Sequence, residues 1–193
     1  MLQDLKLNTY SFTLYKFFNS LFLGVSLGSV FTIYEPLDPK LFSAGGIFLA
    51  VSTLAIARFY KKILTANYFY KISLFVEIIV LLIVLKFLIF SFNPITALSI
   101  YIGYQITFIF GSYLVRAETL VLNDDKILTK VDSAKQLGYL LGMLVSFCFY
   151  QLLEQFMSIT SNQEQVYLIH YLLLLIEILV IFFLIKSFKK VGV

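Results

Sequence analysis

Solidly apolar runs, separated by short polar connections, recur along the chain at about 13–34, 41–57, 70–92, 97–115, 136–153 and 166–187. Apolar side chains fill consecutive positions in these runs rather than alternate ones. A bilayer core roughly 30 Å thick takes about 20 such residues per helical span, so the pattern predicts six transmembrane helices. A membrane β-barrel would need many more segments, each of alternating polarity. The expectation is an all-α polytopic membrane protein forming a single unit over residues 1–193. Lys6 and Lys16 precede an apolar stretch from Phe17 to Phe31, as in a signal peptide. Five further spans follow, and the first run reads as a retained helix.

The connections supply stops and starts. Glu35-Pro36-Leu37-Asp38-Pro39 ends the first helix with two prolines and places an acidic pair in a short outer turn. Ser91-Phe92-Asn93-Pro94 is tight enough to make the third and fourth helices antiparallel neighbours. The segment from Arg116 to Lys135 is the longest inner connection. There Ser133 with Gln136 resembles a capping box opening the fifth helix, and a surface helix fits the stretch before it.

Charge then orients the spans. Lys6, Lys16, Arg58, Lys61, Lys62, Lys71, Arg116, Lys126, Lys130, Lys135, Lys186, Lys189 and Lys190 fall on one side, against Lys40 and Lys86 on the other. Short basic loops stay in the cytoplasm, so this split predicts both termini inside and requires an even number of spans.

Composition agrees: 60% of the 193 residues are hydrophobic, 13% are charged and mean hydropathy is +0.91. A soluble domain of this size could not bury that much apolar surface. Net charge of +4 reflects basic helix ends rather than a nucleic-acid surface. The single cysteine, Cys148, has no partner for a disulfide and is expected to be a packing residue. Abundant lysine and phenylalanine without tryptophan point to an AT-rich bacterial genome, and so to the cytoplasmic (inner) membrane.

An ionisable side chain within a bilayer costs about 2.5 to 3.5 kcal/mol on insertion scales, so it faces a cavity, a partner or a pathway by default. Glu177 is the clearest case, about 11 residues into the sixth run and flanked by apolar residues on both sides. It is either a proton-coupling or cation-binding carboxylate, or a structural carboxyl held by hydrogen bonds. Glu77 lies shallower in the third run, and Lys86, nine residues on, projects from the opposite face and is expected to snorkel outward. His170 stands seven residues before Glu177 on the same face, a stripe that offers a candidate proton path. Glu77 and His170 both lie near enough to an interface to find water or headgroups, and both are read first as structural. Gln105 and Asn19 are interhelical hydrogen-bond donors or cavity-lining groups. Gly24 with Gly28 and Gly138 with Gly142 have the spacing of close helix packing. Their different depths predict separate partners rather than contact with each other.

One histidine and one cysteine cannot build the usual zinc sets, and neither a nucleophile turn nor a glycine-rich phosphate loop is present. No enzymatic activity, metal or cofactor is expected.

The stretch Thr53 to Lys62 resembles a degraded major facilitator signature, G-x-L-a-D-R-x-G-R-K. Arg58, Lys61 and Lys62 stand at its basic positions, while Thr53 and Tyr60 replace glycines and Ala57 the aspartate. Tyr113 to Glu118, with Arg116, followed by a charged segment and Gln136-Leu137-Gly138, is also similar to that family. The resemblance implies one six-helix half of a secondary transporter for an unidentified small solute, completed by a homodimer partner or a second membrane subunit. Helix number and orientation are equally similar to the substrate-capture component of energy-coupling-factor transporters. A membrane assembly or accessory factor without transport activity is the third alternative.

Overall fold

The structure, a computed structural model, describes residues 5–34 and 37–190. Its elements are β1 (Leu5–Leu7), α1 (Thr9–Ser26), α2 (Ser29–Tyr34), α3 (Pro39–Arg58), α4 (Tyr60–Ile63), α5 (Ala66–Ile89), α6 (Pro94–Ile109), α7 (Gly111–Leu122), α8 (Asp125–Met157), α9 (Asn162–Ser187) and β2 (Phe188–Lys190). The fold is thus a helix bundle, and the two strands form one short antiparallel ladder joining the chain's ends. That ladder departs from the purely helical expectation. It lies outside the apolar runs, where residues such as Leu5-Lys6-Leu7 alternate and can pair edge to edge.

Among the described residues five helical stretches are long and apolar enough to cross a membrane: Pro39–Arg58, Ala66–Ile89, Pro94–Leu122, Asp125–Met157 and Asn162–Ser187. The remaining sequence-predicted span, 13–34, is interrupted. α1 ends at Ser26, and Leu27 and Gly28 separate it from α2. α1 tolerates its polar residues because several of them turn inward: it is packed between α8 and α9, while Tyr15 and Asn19 find a partner in Glu77 of α5 and Lys16 in Glu118 of α7. Glu35 and Pro36 lie outside the described residues. Asp38 caps α3, its carboxylate accepting from the Lys40 amide at 2.8 Å, with Pro39 in the first turn where no amide hydrogen is needed.

The third connection is the expected tight turn. Asn93 Oδ1 accepts from the Ile95 amide at 2.8 Å, Pro94 opens α6, and α5 packs on α6. The fourth connection is much shorter than expected. α7 runs to Leu122 and α8 starts at Asp125, leaving Asn123 in the left-handed region (φ 40°) and Asp124, whose carboxylate accepts from the amides of Lys126 and Ile127 at 2.8 and 3.0 Å. Ser133 and Gln136 therefore sit inside α8 rather than opening it. Nothing between Asp125 and Gln136 breaks a helix, and the earlier aspartate is the better cap.

This extension corrects the glycine reading. Gly24 faces Gly142, and the contacts climb together along both helices, with Gly138 against the backbone of Phe17 and Leu21 and Gly28 beside Tyr150. α1 and α8 thus run parallel, backbone on backbone. Drawing the fifth span at its last charge hid about three helical turns of α8 lying beside the start of α1. Cys148 also differs from expectation: it is exposed, on the outer side of α8.

The larger core packs Phe12, Tyr15, Val25, Phe69, Val80, Tyr113, Val131, Ile169, Leu173, Val180 and Leu184 between α1, α5, α7, α8 and α9. Phe188 of β2 closes one end of it, 6.1 Å from the Phe12 ring and 6.0 Å from Phe69. A second cluster, with Ile33, Phe87, Ile100, Tyr101 and Val166, fills the other end. α3 stands at the periphery. None of its residues is buried, and it touches chiefly α6.

Candidate functional site

α5 turns Phe69, Ser73, Val76, Glu77 and Val80 to the interior, a spacing of three and four residues that defines one helix face. α1 presents Phe12, Tyr15, Lys16 and Asn19 on a matching stripe, again one turn apart. Where the faces meet, Tyr15 Oη donates to Glu77 Oε1 at 2.7 Å and Asn19 Nδ2 donates to the same oxygen at 3.1 Å. Both protein donors converge on one carboxyl oxygen. No hydrogen bond from the described residues reaches Oε2, and no basic side chain among them lies within ion-pair distance of Glu77.

Glu77 is only 2% exposed, yet it lines a cavity of about 310 Å³ between α1, α2, α5 and α6. Phe22, Tyr34, Val76, Val80, Tyr104 and Thr107 are among its lining, and the exposed Leu23 and Phe108 mark its mouth. The last two are 56% and 55% exposed. The cavity therefore runs from an apolar opening on the bundle surface to a carboxyl at its floor.

Glu177 lies behind this floor on α9. It is 1% exposed and its Oε1 has no hydrogen-bond partner, an arrangement that costs free energy. α9 packs directly against α5, the helix that carries Glu77. The helix itself is apolar on all sides: Ile169, Leu173, Ile176 and Val180 are buried in the bundle, while Leu175, Ile178, Phe182 and Ile185 are exposed on the opposite face, as suits a helix that also meets lipid. His170 shares the buried face of α9 with Glu177, but Leu173 stands between them. Its Nδ1 is 2.6 Å from the Val166 carbonyl oxygen, and its ring lies 3.9 Å from that of Phe87. Gln105 is elsewhere, on a second cavity of about 280 Å³ between α3 and α6, its Oε1 buried without a partner. Lys86 does not snorkel. It donates to Ser99 Oγ of α6 at 2.7 Å, because a neighbouring helix offers an acceptor before the side chain reaches the outside.

The residues of the basic signature separate. Arg58, Lys61 and Lys62 are exposed around α4. Arg116 lies over the Tyr60 ring at 5.6 Å, and Tyr113 Oη donates to the Ile63 carbonyl at 2.8 Å, so α4 is docked on α7. Glu118 turns inward instead. It pairs with Lys16 at 2.6 Å and with Lys135, which also bonds Asp132 at 3.0 Å. This triad, with Lys16 and Glu118 buried and Lys135 half-buried, joins α1, α7 and α8. Lys16 is held as well among the Phe12, Tyr15 and Phe69 rings, 5.0 to 5.7 Å from their centres.

Compared with protein-family models, curated proteins and solved structures, the chain matches none. The site has to be judged by its own chemistry. Among the described residues there is no group of three or more His, Cys, Asp or Glu side chains placed to hold a metal ion. Tyr15, Lys16, Tyr104 and Lys135 were not identified from sequence as site residues. The available signal was Lys16 itself, a charge within the first apolar run, with Tyr15 and Asn19 one turn apart on that helix.

Proposed function

We propose that this protein is a membrane transport component with six spans and both termini in the cytoplasm, residing in the bacterial inner membrane, and that the Glu77 cavity is its solute site. One observation carries the reading: a buried carboxyl, held by donors from a second helix, forms the floor of a cavity with an open mouth. A packing carboxyl has no need of a cavity. Glu177, buried behind it with an unsatisfied oxygen, is the coupling carboxylate of this reading. The β1–β2 ladder supports an even number of crossings, since it holds the two chain ends together on one face of the bundle. A central α1 that satisfies its polar groups internally supports counting it as a span despite its lower hydropathy.

The role is non-enzymatic. In the major facilitator-type arrangement that the sequence resembles, this chain is one half, completed by a second copy or another membrane subunit. The unburied α3, with Ile47, Phe48, Val51 and Leu54 outward, supports a surface that meets either lipid or that second half.

The test is reconstitution of the purified protein, with any co-purifying subunit, into liposomes holding a pH-sensitive dye. Under an imposed pH gradient, solute addition should drive proton movement in the wild type. Glu177→Gln should abolish the proton movement, and Glu77→Gln should abolish solute dependence. Solute flux that proceeds unchanged in both variants would overturn the assignment.

A further inference from the structure

We infer that the Glu77 cavity binds a monocationic amine with an apolar body, its ammonium on Glu77 Oε2 and its hydrocarbon portion toward the mouth. The inference rests on the solute-site reading above and adds the chemical class.

Charge comes first. The cavity wall contains one ionisable carboxyl and no basic group. The nearby ammonium of Lys16 is directed to Glu118 at 2.6 Å and makes no ion pair with Glu77. A carboxylate buried away from water requires a counter-charge or hydrogen-bond donors. Protein donors serve Oε1 alone, and Oε2 is left for a donor from the ligand. An ammonium supplies both donor and charge, an alcohol only the donor, and an anion would add a second negative charge at the floor.

Shape comes second. The rest of the lining is mainly aromatic and aliphatic, with Phe22, Tyr34 and Tyr104, and its other polar groups, such as Ser26 and Thr107, are uncharged. Aromatic faces accept both hydrocarbon and the flank of a cation. About 310 Å³ accommodates a small aromatic or branched amine, not a dication with charges at both ends, because the mouth is framed by Leu23 and Phe108. An amine of this kind also partitions into a bilayer, which suits an opening on the apolar surface of the bundle.

The experiment is equilibrium dialysis of the protein in phosphatidylcholine nanodiscs, with protein-free discs subtracted, against three probes of nearly equal shape: phenethylamine, 2-phenylethanol and 3-phenylpropionate. Saturable binding of the amine is expected. The alcohol should bind about tenfold or more weaker, as for loss of a charge-assisted hydrogen bond, and the acid should not bind. Glu77→Gln, which retains an acceptor for Tyr15 and Asn19, should lower amine affinity by a similar factor. Val80→Phe, which adds bulk to the cavity one turn from Glu77 on the same face of α5, should block all probes. Circular dichroism and gel filtration report whether each variant is folded, and either folded variant alone decides. Repeating the binding in discs containing phosphatidylethanolamine separates two sources of the ammonium: competition assigns it to a lipid headgroup, no competition to a free amine. The inference fails if the folded wild type binds no amine saturably, if the alcohol binds as well as the amine, or if amine binding survives unchanged in either folded variant. Because nothing is transported in this assay, its failure is distinct from failure of the liposome test.

Discussion

Gly142→Ala adds a single methyl where α1 and α8 touch through their backbones. That methyl would meet the Leu21 carbonyl oxygen, and it would lie 3.0 Å from both the Gly24 Cα and the Val25 nitrogen. Carbon pairs rest at about 3.5 to 4.0 Å, so the helices must part by roughly 0.5 to 1 Å, which forfeits about a quarter to a half of each affected dispersion contact. No rotamer change relieves the clash, since the receiving atoms are main chain. Overpacking of this kind costs about 1 to 3 kcal/mol, with the upper end appropriate here. Against it stands the helix-propensity gain of Gly to Ala, about 1 kcal/mol. The net expectation is a loss of about 1 to 2 kcal/mol. Gly46→Ala in α3 is the matched control, because a methyl there would meet nothing within 4 Å. It should be neutral or stabilising by up to about 1 kcal/mol. Reversible unfolding in mixed micelles, followed by far-UV ellipticity, compares the two midpoints. Equal shifts of the same sign would mean that α1 and α8 are not in backbone contact, and the core built on that contact would be wrong.

Glu118→Gln should destabilise the bundle by about 3 to 5 kcal/mol, because it leaves Lys16 buried without its counter-charge. Adding Lys16→Met should recover part of that loss in the same unfolding assay, and an unchanged midpoint in the single variant would refute a buried Lys16–Glu118 pair. For orientation, Cys148→Ser provides a cysteine-free background in which the exposed Asp38, Lys62 and Asp125 are replaced singly by Cys. A membrane-impermeant maleimide should label Asp38→Cys in intact cells and the other two only after permeabilisation. Labelling of Lys62→Cys or Asp125→Cys from outside would reverse the proposed topology.

Hydropathy located the apolar runs because burial in lipid or in a bundle makes the same demand on consecutive side chains, and the tight Asn93-Pro94 turn followed from local chemistry. What it misplaced were the edges. A charge in sequence marks a membrane boundary only if it stays in water, and Lys16 does not: Glu118 and three aromatic rings take it inward. Once Lys16 is inside, α1 slides relative to α8, Gly24 comes level with Gly142, and the supposed inner loop is drawn into α8. The same blindness to partners set the rank of the carboxyls. Depth within a helix singled out Glu177, whereas Glu77, nearer a helix end, gains its importance from Tyr15 and Asn19, some sixty positions away. Periodicity gives the face a side chain occupies on its own helix. It gives nothing about the facing helix, so the buried partners that convert an expensive charge into a site emerge only when α1 and α5 are packed together.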